Sequence, residues 1–306
     1  MEIKYFTNKE IDKKKWDNCI ATANNSLIYA YSFYLDNMAK NWDALVLNDY
    51  EVVMPLTWKK KYGIRYLYQP AFIQQLGIFF KDPIPTSIYE KFKEQLLRHF
   101  NFAEITFNFL NTINPSSSFV CLNRTNYILL LQPDYNTLFK KYSTIFLKNL
   151  KQVKKQQLFY KKTDQYNQSI DLYRKKYGER FVGFSKNDYE SFKKICFHLH
   201  NTGQIIIRNV VNKEDQLLAT AVLLRDNSRL YNIISFISTE GRRLNANYLL
   251  YDSLIKEFLE ENILVDFEGS DVKSIGDFYK QMGAENQSYQ FVRYNQLRPL
   301  LKLFKK

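Results

Sequence analysis

Two carboxylates and a tyrosine lie close together in VDFEGSDVKSIGDFYKQMGA, residues 265–284. Asp266 and Glu268 are two apart at the end of an apolar run. Residues i and i+2 of a strand project to one face, so both carboxylates share a cleft if the strand runs that far. Ser274 and Asp277 have the spacing of a capping box, opening a helix that Gly283 can close. Tyr279 lies on that helix. Carboxylates at a strand end and a tyrosine one helix away can supply a base and an acid for proton transfer. The plainer alternative is structural: Glu268 caps a helix or pairs with an arginine, and Tyr279 packs with its hydroxyl at the surface. By spacing alone, the structural alternative is the stronger.

A second stretch, FISTEGRRLNANYLLYDSLIKEFLEE (236–261), reads as a strand, a glycine turn, two arginines and a helix. The free N–H groups and dipole of a helix start attract anions. Arg242 and Arg243 could add charge-assisted contacts, making a cradle for a pyrophosphate. Many strand-to-helix turns contain arginine and bind nothing, so spacing alone is a weak signal.

Other constellations are poorer. Cys196 and His200 share a helix face at i, i+4, as a nucleophile and its base would, but a core cysteine beside a surface histidine explains them better. His198 and His200 diverge on a helix and His99 stands alone, so no metal site is expected. Cys19, Cys121 and Cys196 fit neither a disulfide framework nor a zinc spacing, which suits reduced, buried thiols. Tyr62, Tyr66, Tyr68, Phe72, Phe79 and Phe80 could stack on bases. With aromatics at 16% of the chain, packing accounts for them as well.

The elements that must position these groups form one layout, met twice. In the first half, 31–40 reads as a helix. WDALVLN and EVVMPLTW alternate around Asn48-Asp49 as a hairpin. IRYLYQ is a third strand, Ser87 to Phe100 a helix, and AEITFNF a strand. In the second half, 186–201 reads as a helix. QIIIRNVV, QLLATAVLLR and RLYNIISFIS are strands, the last two joined at Asp226-Asn227. A helix from about Asn245 to Glu261 and the strand ILVDF follow. Between the halves, 136–157 has the spacing of one long helix. Leu138, Tyr142, Ile145, Phe146, Leu150 and Val153 share one side, and Lys141, Lys148, Lys151 and Lys155 the other. From Tyr135 to Thr163 there are eight lysines and no acid. Such a face can meet phosphates, although a solvated surface is the commoner meaning. The expected organisation is an N-terminal domain over 1–135, a connecting basic helix over 136–163 and a C-terminal domain over 164–306.

The bulk numbers allow this. The 306 residues suffice for two domains, and 45% hydrophobic with 25% charged residues is a globular composition. No apolar run approaches the roughly 18 residues of a membrane helix. The start, MEIKYFTNKEIDKKKW, lacks the apolar centre of a signal peptide. A soluble, cytoplasmic protein is expected. The net charge of +13 suits nucleic acid, an anionic membrane surface or a phosphorylated ligand. The chain is also rich in Lys, Asn, Ile, Tyr and Phe and poor in Gly, as AT-rich coding makes it, so the charge weighs little.

FYKQMGA resembles the Phe/Leu-Tyr-x-x-x-Gly-Phe/Ala pattern after the fifth strand of the GNAT acyltransferases. EGRRLNANYLLYDSLI resembles the pyrophosphate loop and following helix of that superfamily. With VDFEGS, these are similar to the Fem-type (FemABX) branch and the CelD-like bacterial acetyltransferases. The similarity is clearest over roughly 216–292; the first half matches in layout. The resemblance implies an α+β fold of two tandem GNAT-like domains, each a mixed, mostly antiparallel sheet flanked by helices. It implies a splayed strand pair that holds an acetyl-CoA or other acyl-CoA donor, or an aminoacyl-tRNA, with direct transfer to an amine. The acceptor would be a small molecule, a sugar or a cell-envelope precursor, with tRNA as a further partner; no metal is implied. Asp266 or Glu268 becomes the base and Tyr279 the acid that protonates the leaving thiolate. The loop pattern Gln/Arg-x-x-Gly-x-Gly/Ala falls on Arg242, Arg243, Leu244, Asn245, Ala246 and Asn247. Asn replaces a small residue at 245 and 247, where a side chain could crowd a phosphate. A scaffold that has lost its donor and binds a partner instead is the non-enzymatic alternative.

Overall fold

The computed structural model describes residues 2–115, 119–132, 134–180 and 183–297. The chain divides into two compact units: Met1–Arg124 with Ser288–Lys306, and Thr125–Gln287.

The first unit holds strands β1 (Ile3–Phe6), β2 (Trp42–Leu47), β3 (Val52–Lys61), β4 (Ile64–Tyr68), β5 (Phe79–Phe80), β6 (Phe102–Phe107) and β7 (Phe119–Arg124). Its helices are α1 (Lys13–Thr22), α2 (Ser32–Met38) and α3 (Thr86–His99). The expected hairpin forms between β2 and β3. Asn48 adopts a positive φ of 49° in its turn, which asparagine tolerates better than most residues. Ile88, Phe92 and Leu96 recur at four-residue spacing and bury one face of α3. They pack with Leu45, Met54, Leu67 and Ile105 in one core.

The second unit holds β8 (Tyr127–Leu130), β9 (Phe159–Thr163), β10 (Ile205–Val211), β11 (Leu217–Arg225), β12 (Arg229–Ile237), β13 (Leu264–Asp266) and β14 (Glu285–Asn286). Its helices are α4 (Tyr135–Lys141), α5 (Thr144–Val153), α6 (Tyr166–Tyr177), α7 (Lys186–Asn201), α8 (Thr239–Arg243), α9 (Ala246–Glu257) and α10 (Lys273–Lys280). The sheet runs β14-β8-β13-β12-β11-β10-β9. Among the described residues, only β12 and β13 are parallel in it. The last strand among the described residues, β15 (Tyr289–Asn295), belongs to the first unit and pairs with β6 and β7 there.

The repeated layout is present. A helix, three antiparallel strands, a helical stretch and a strand occur as α2, β2–β4, α3, β6 and as α7, β10–β12, α8 with α9, β13. In each case the last strand pairs parallel with the third, β6 with β4 and β13 with β12.

The long basic helix is corrected. Two helices replace it, because Tyr142 leaves the helical backbone and Ser143 caps α5 through the Phe146 amide. The Ser143 amide donates to the Gln281 carbonyl. These helices are no free connector: Leu138, Tyr142, Phe146, Leu150 and Val153 enter the core of the second unit. Ile145, expected on the same side, is 60% exposed. The divide between the units falls after Arg124, ahead of the helical stretch, and the second unit ends at Gln287 because β15 belongs to the other sheet. No helix of the described residues is long and apolar enough to cross a membrane.

Candidate functional site

The central feature of the second unit is the point where β12 and β13 part. They pair over three positions only, Arg229 with Leu264, Leu230 with Val265 and Tyr231 with Asp266. β13 then stops while β12 continues for six residues, Asn232 to Ile237. The β12 edge beyond Tyr231 therefore has no strand partner on that side among the described residues. Opposite, the β11–β12 register shifts between Val222 and Leu223, so β12 carries an extra residue, Ile233, at the same level.

Asp266 is the last residue of β13 and only 1% exposed. Arg229 Nη1 donates to its Oδ2 at 3.0 Å, and Asn126 Nδ2 to its Oδ1 at 2.9 Å. The Glu268 amide also donates to Oδ1, at 3.3 Å. Burial pushes the Asp266 carboxyl above its ordinary range, while Arg229, Asn126 and the Glu268 amide pull against it. The carboxylate is thus spent on a buried ion pair and on holding the turn.

The strand does not extend to Glu268, so the expected shared face is not formed. Glu268 takes a left-handed backbone at φ 50° instead, which costs a non-glycine residue about 1 kcal/mol or more. Its Oε1 is sealed from solvent and finds no hydrogen-bond partner among the described residues. Burial alone pushes its carboxyl up to about 8. Glu268 is therefore a half-buried residue whose sealed carboxyl holds its proton at neutral pH, just beyond the point where the two strands separate.

Tyr279 lies on α10, whose start differs from expectation: the helix begins at Lys273 with Val272 before it, and Ser274 caps nothing. The Tyr279 side chain is buried. Its ring stacks on Phe267, centroids 4.3 Å apart, and meets Tyr251 edge-on. Asn232 Nδ2 donates to the Tyr279 hydroxyl at 3.3 Å and to the Tyr251 hydroxyl at 2.9 Å. Tyr251 in turn donates to Ser235 Oγ at 3.0 Å. Burial first, then the neighbouring Tyr251, raises the Tyr279 hydroxyl well above the usual tyrosine range. It stays protonated and can act only as an acid. Asn232 and Tyr251 escaped the sequence reading, since an asparagine inside an apolar strand was the one signal and its partners are distant in sequence.

The loop residues fall between β12 and α9. Ser238 accepts from the Gly241 amide at 2.9 Å and opens the single turn α8. A Cβ at Gly241 would meet the Leu218 carbonyl oxygen at 2.2 Å, so only glycine fits there. Arg243 is exposed and bound to Glu240 by two hydrogen bonds of 2.9 and 2.6 Å. Arg242 is exposed and has no carboxylate partner among the described residues. Leu244 packs on the core and Ala246 is buried in it. Asn245 precedes α9 with φ 59° and ψ 31°, without capping the helix through its side chain. It supplies the left-handed backbone that a glycine would give there. Its Nδ2 turns to Gln152, at 3.4 Å. Asn247 Oδ1 is buried without a hydrogen-bond partner among the described residues. The first amides of α9, Arg242 and the Gly241 turn are the groups that could hold a pyrophosphate.

Cys196 is fully buried and burial pushes its thiol far up, so it serves packing. Among the described residues, no three His, Cys, Asp or Glu side chains gather as a metal site.

Residues 146–281 match the model of the acetyltransferase (GNAT) domain. No curated protein matches the chain. Among solved structures, FemX aligns over 100% of both chains with a TM-score of 0.65 at 14% identity. A tandem GNAT protein from the clavulanic acid biosynthesis pathway aligns over 95% of this chain and 98% of its own, with a TM-score of 0.52 at 9% identity. L-PGS from Bacillus licheniformis covers 95% and 94%, again with a TM-score of 0.52 at 9% identity. At such identities the likeness is one of fold.

Proposed function

We propose that this chain, a tandem GNAT-fold protein of the Fem-type branch, is an N-acyltransferase. It would move an acyl group from acyl-CoA, acetyl-CoA foremost, to an amine of a small molecule, a sugar or a cell-envelope precursor. One observation carries the reading: a proton-holding carboxyl and a proton-holding phenol stand at the parting of β12 and β13. Glu268 lies two residues past the end of β13, and Tyr279 is held by Asn232, the first β12 residue beyond the paired region.

In this mechanism Glu268, once ionised, accepts the proton of the acceptor amine as nitrogen attacks the acyl carbonyl. Backbone amides on the open β12 edge polarise that carbonyl. Tyr279 gives its proton to the leaving sulfur. Asp266 acts at one remove, anchoring the turn that carries Glu268. The α8–α9 loop, Arg242 included, holds the phosphates of the donor when it is bound.

Calorimetric titration with acetyl-CoA and desulfo-CoA at two salt concentrations tests the donor. Saturable binding that Arg242→Ala weakens supports the reading; Arg243→Ala should matter less, because Glu240 already occupies Arg243. No binding at millimolar ligand removes it and favours a non-catalytic binding role.

A second donor reading has its own support. Lys148 and Lys151 are exposed on α5 and Lys155 just beyond its end, and none is ion-paired among the described residues. That face favours an aminoacyl-tRNA donor, and binding of a charged tRNA that falls steeply with salt would select it.

A further inference from the structure

β3 outruns its neighbour β2, whose last pair with it is Trp42 with Thr57. β4 meets β6 only at Leu67 and Tyr68. Among the described residues, Lys59, Lys60 and Lys61 pair with Tyr66, Arg65 and Ile64 alone, so β3 and β4 leave the sheet as a two-stranded arm. A lone hairpin is marginally stable, and Arg65 fixes this one near its base. The guanidinium lies 4.2 Å from the Trp58 ring centre and 5.2 Å from that of Phe100, and donates to Asp43 Oδ2 at 2.7 Å. At the tip, Tyr62 and Gly63 have φ of 50° and 81°. Two left-handed residues in a row suit asparagine followed by glycine, and a tyrosine in the first place is strained. Tyr62 is nevertheless 72% exposed, so burial does not account for it. Lys61 Nζ stands 5.1 Å from its ring centre, and Lys59 Nζ stands 4.0 Å from that of Tyr68. Lys59, Lys60 and Lys61 have no carboxylate partner among the described residues, and the chain has no acid between Glu51 and Asp82.

Of the six aromatic residues expected to be able to stack on bases, only Tyr62 is exposed. Phe79 and Phe80 are buried, and Tyr66, Tyr68 and Phe72 half-buried. A single convex tip offers a nucleic-acid strand no row of stacking platforms. It suits a bilayer surface, where a tyrosine sits with its ring in the interface and its hydroxyl in water, and lysine stems carry their charge to anionic headgroups. We propose that the β3–β4 hairpin docks this protein on an anionic lipid surface, with Tyr62 entering the headgroup layer and Lys59, Lys60 and Lys61 meeting the lipid phosphates. This docking does not rest on the acyltransferase reading.

Co-sedimentation of the full chain with vesicles tests this, using phosphatidylcholine alone and phosphatidylcholine mixed with phosphatidylglycerol, with a poly(U) oligonucleotide as a parallel probe. The wild type should bind the mixed vesicles and leave phosphatidylcholine alone. Lys59→Gln, Lys60→Gln and Lys61→Gln together should weaken that binding by about a hundredfold. Tyr62→Asn relieves the turn, so the melting temperature should hold or rise while vesicle binding falls by about fivefold. A merely structural role for Tyr62 would not part the two readouts in this way. Absence of wild-type binding to the mixed vesicles, or binding equal in the wild type and both variants, overturns the proposal. Equal binding to the two vesicle types overturns it as well, since the charge then recognises nothing. Poly(U) binding that the variants lose, with vesicle binding intact, assigns the hairpin to nucleic acid instead.

Discussion

Arg229 Nη1 lies 3.0 Å from Asp266 Oδ2, and both side chains are buried. Thirty-seven positions apart in sequence, they sit side by side at the start of β12 and the end of β13. Removing one member strands a buried charge. Asp266→Ala should therefore lower the unfolding free energy by about 3–5 kcal/mol, measured by urea denaturation. An Asp266→Ala protein of unchanged stability with lost turnover would show that the carboxylate takes part in chemistry instead.

Glu268 gives a pH signature. Its carboxyl titrates near 8, so the base form grows as pH rises through 8. Thiol release from acetyl-CoA with an amine acceptor should climb across that range and level off above it. Glu268→Gln should flatten the profile and cost about 10²–10⁴ in rate. Stability moves the other way. Between about 4.5 and 8 the folded state keeps a proton that the unfolded state has lost, so stability falls as pH rises through this window. Glu268→Gln should remove this fall, worth ~1–3 kcal/mol, in urea melts at pH 5.5 and 8.

Tyr279→Phe keeps the ring that stacks on Phe267, and Asn232 keeps Tyr251 as a partner. Unfolding free energy should change by about 1 kcal/mol or less. Turnover should drop by about 10² or more if the hydroxyl is the acid. Unchanged turnover would take the acid role from Tyr279.

Asn245 and Gly241 test the loop. Asn245→Gly should leave acetyl-CoA affinity within about threefold, since the left-handed backbone is kept. Asn245→Val forces a branched residue into that conformation and should weaken both stability and binding by about 1–2 kcal/mol. Gly241→Ala should destabilise by about 1–3 kcal/mol, because its methyl meets a backbone carbonyl. Thermal melts and calorimetry separate the two effects.

The elements around the site were readable because they are local. Alternation and apolar runs marked β2, β3 and β10–β12, and the spacing of Leu138 to Val153 marked a buried face. The break at Tyr142–Ser143 was not readable, since it depends on a Gln281 carbonyl far along the chain. Nor were β7, β8 and β15, whose partners are distant in sequence. Asp266 and Glu268 looked equivalent at i and i+2. The left-handed turn at Glu268 sends them to different duties, one charge-paired and one proton-holding. Tyr279 was marked by family resemblance, but the Asn232 that grips it was announced only by being an asparagine inside an apolar strand.

The return of β15 to the first unit bears on how the protein is made. Residues 289–295 complete a sheet whose other strands all lie before residue 125. A chain emerging from the ribosome holds the whole second unit before the first can close between β6 and β7. The first-made unit is thus the last to finish, and its strand edges stand open while Thr125–Gln287 is synthesised. That interval is when chaperone cover would matter most.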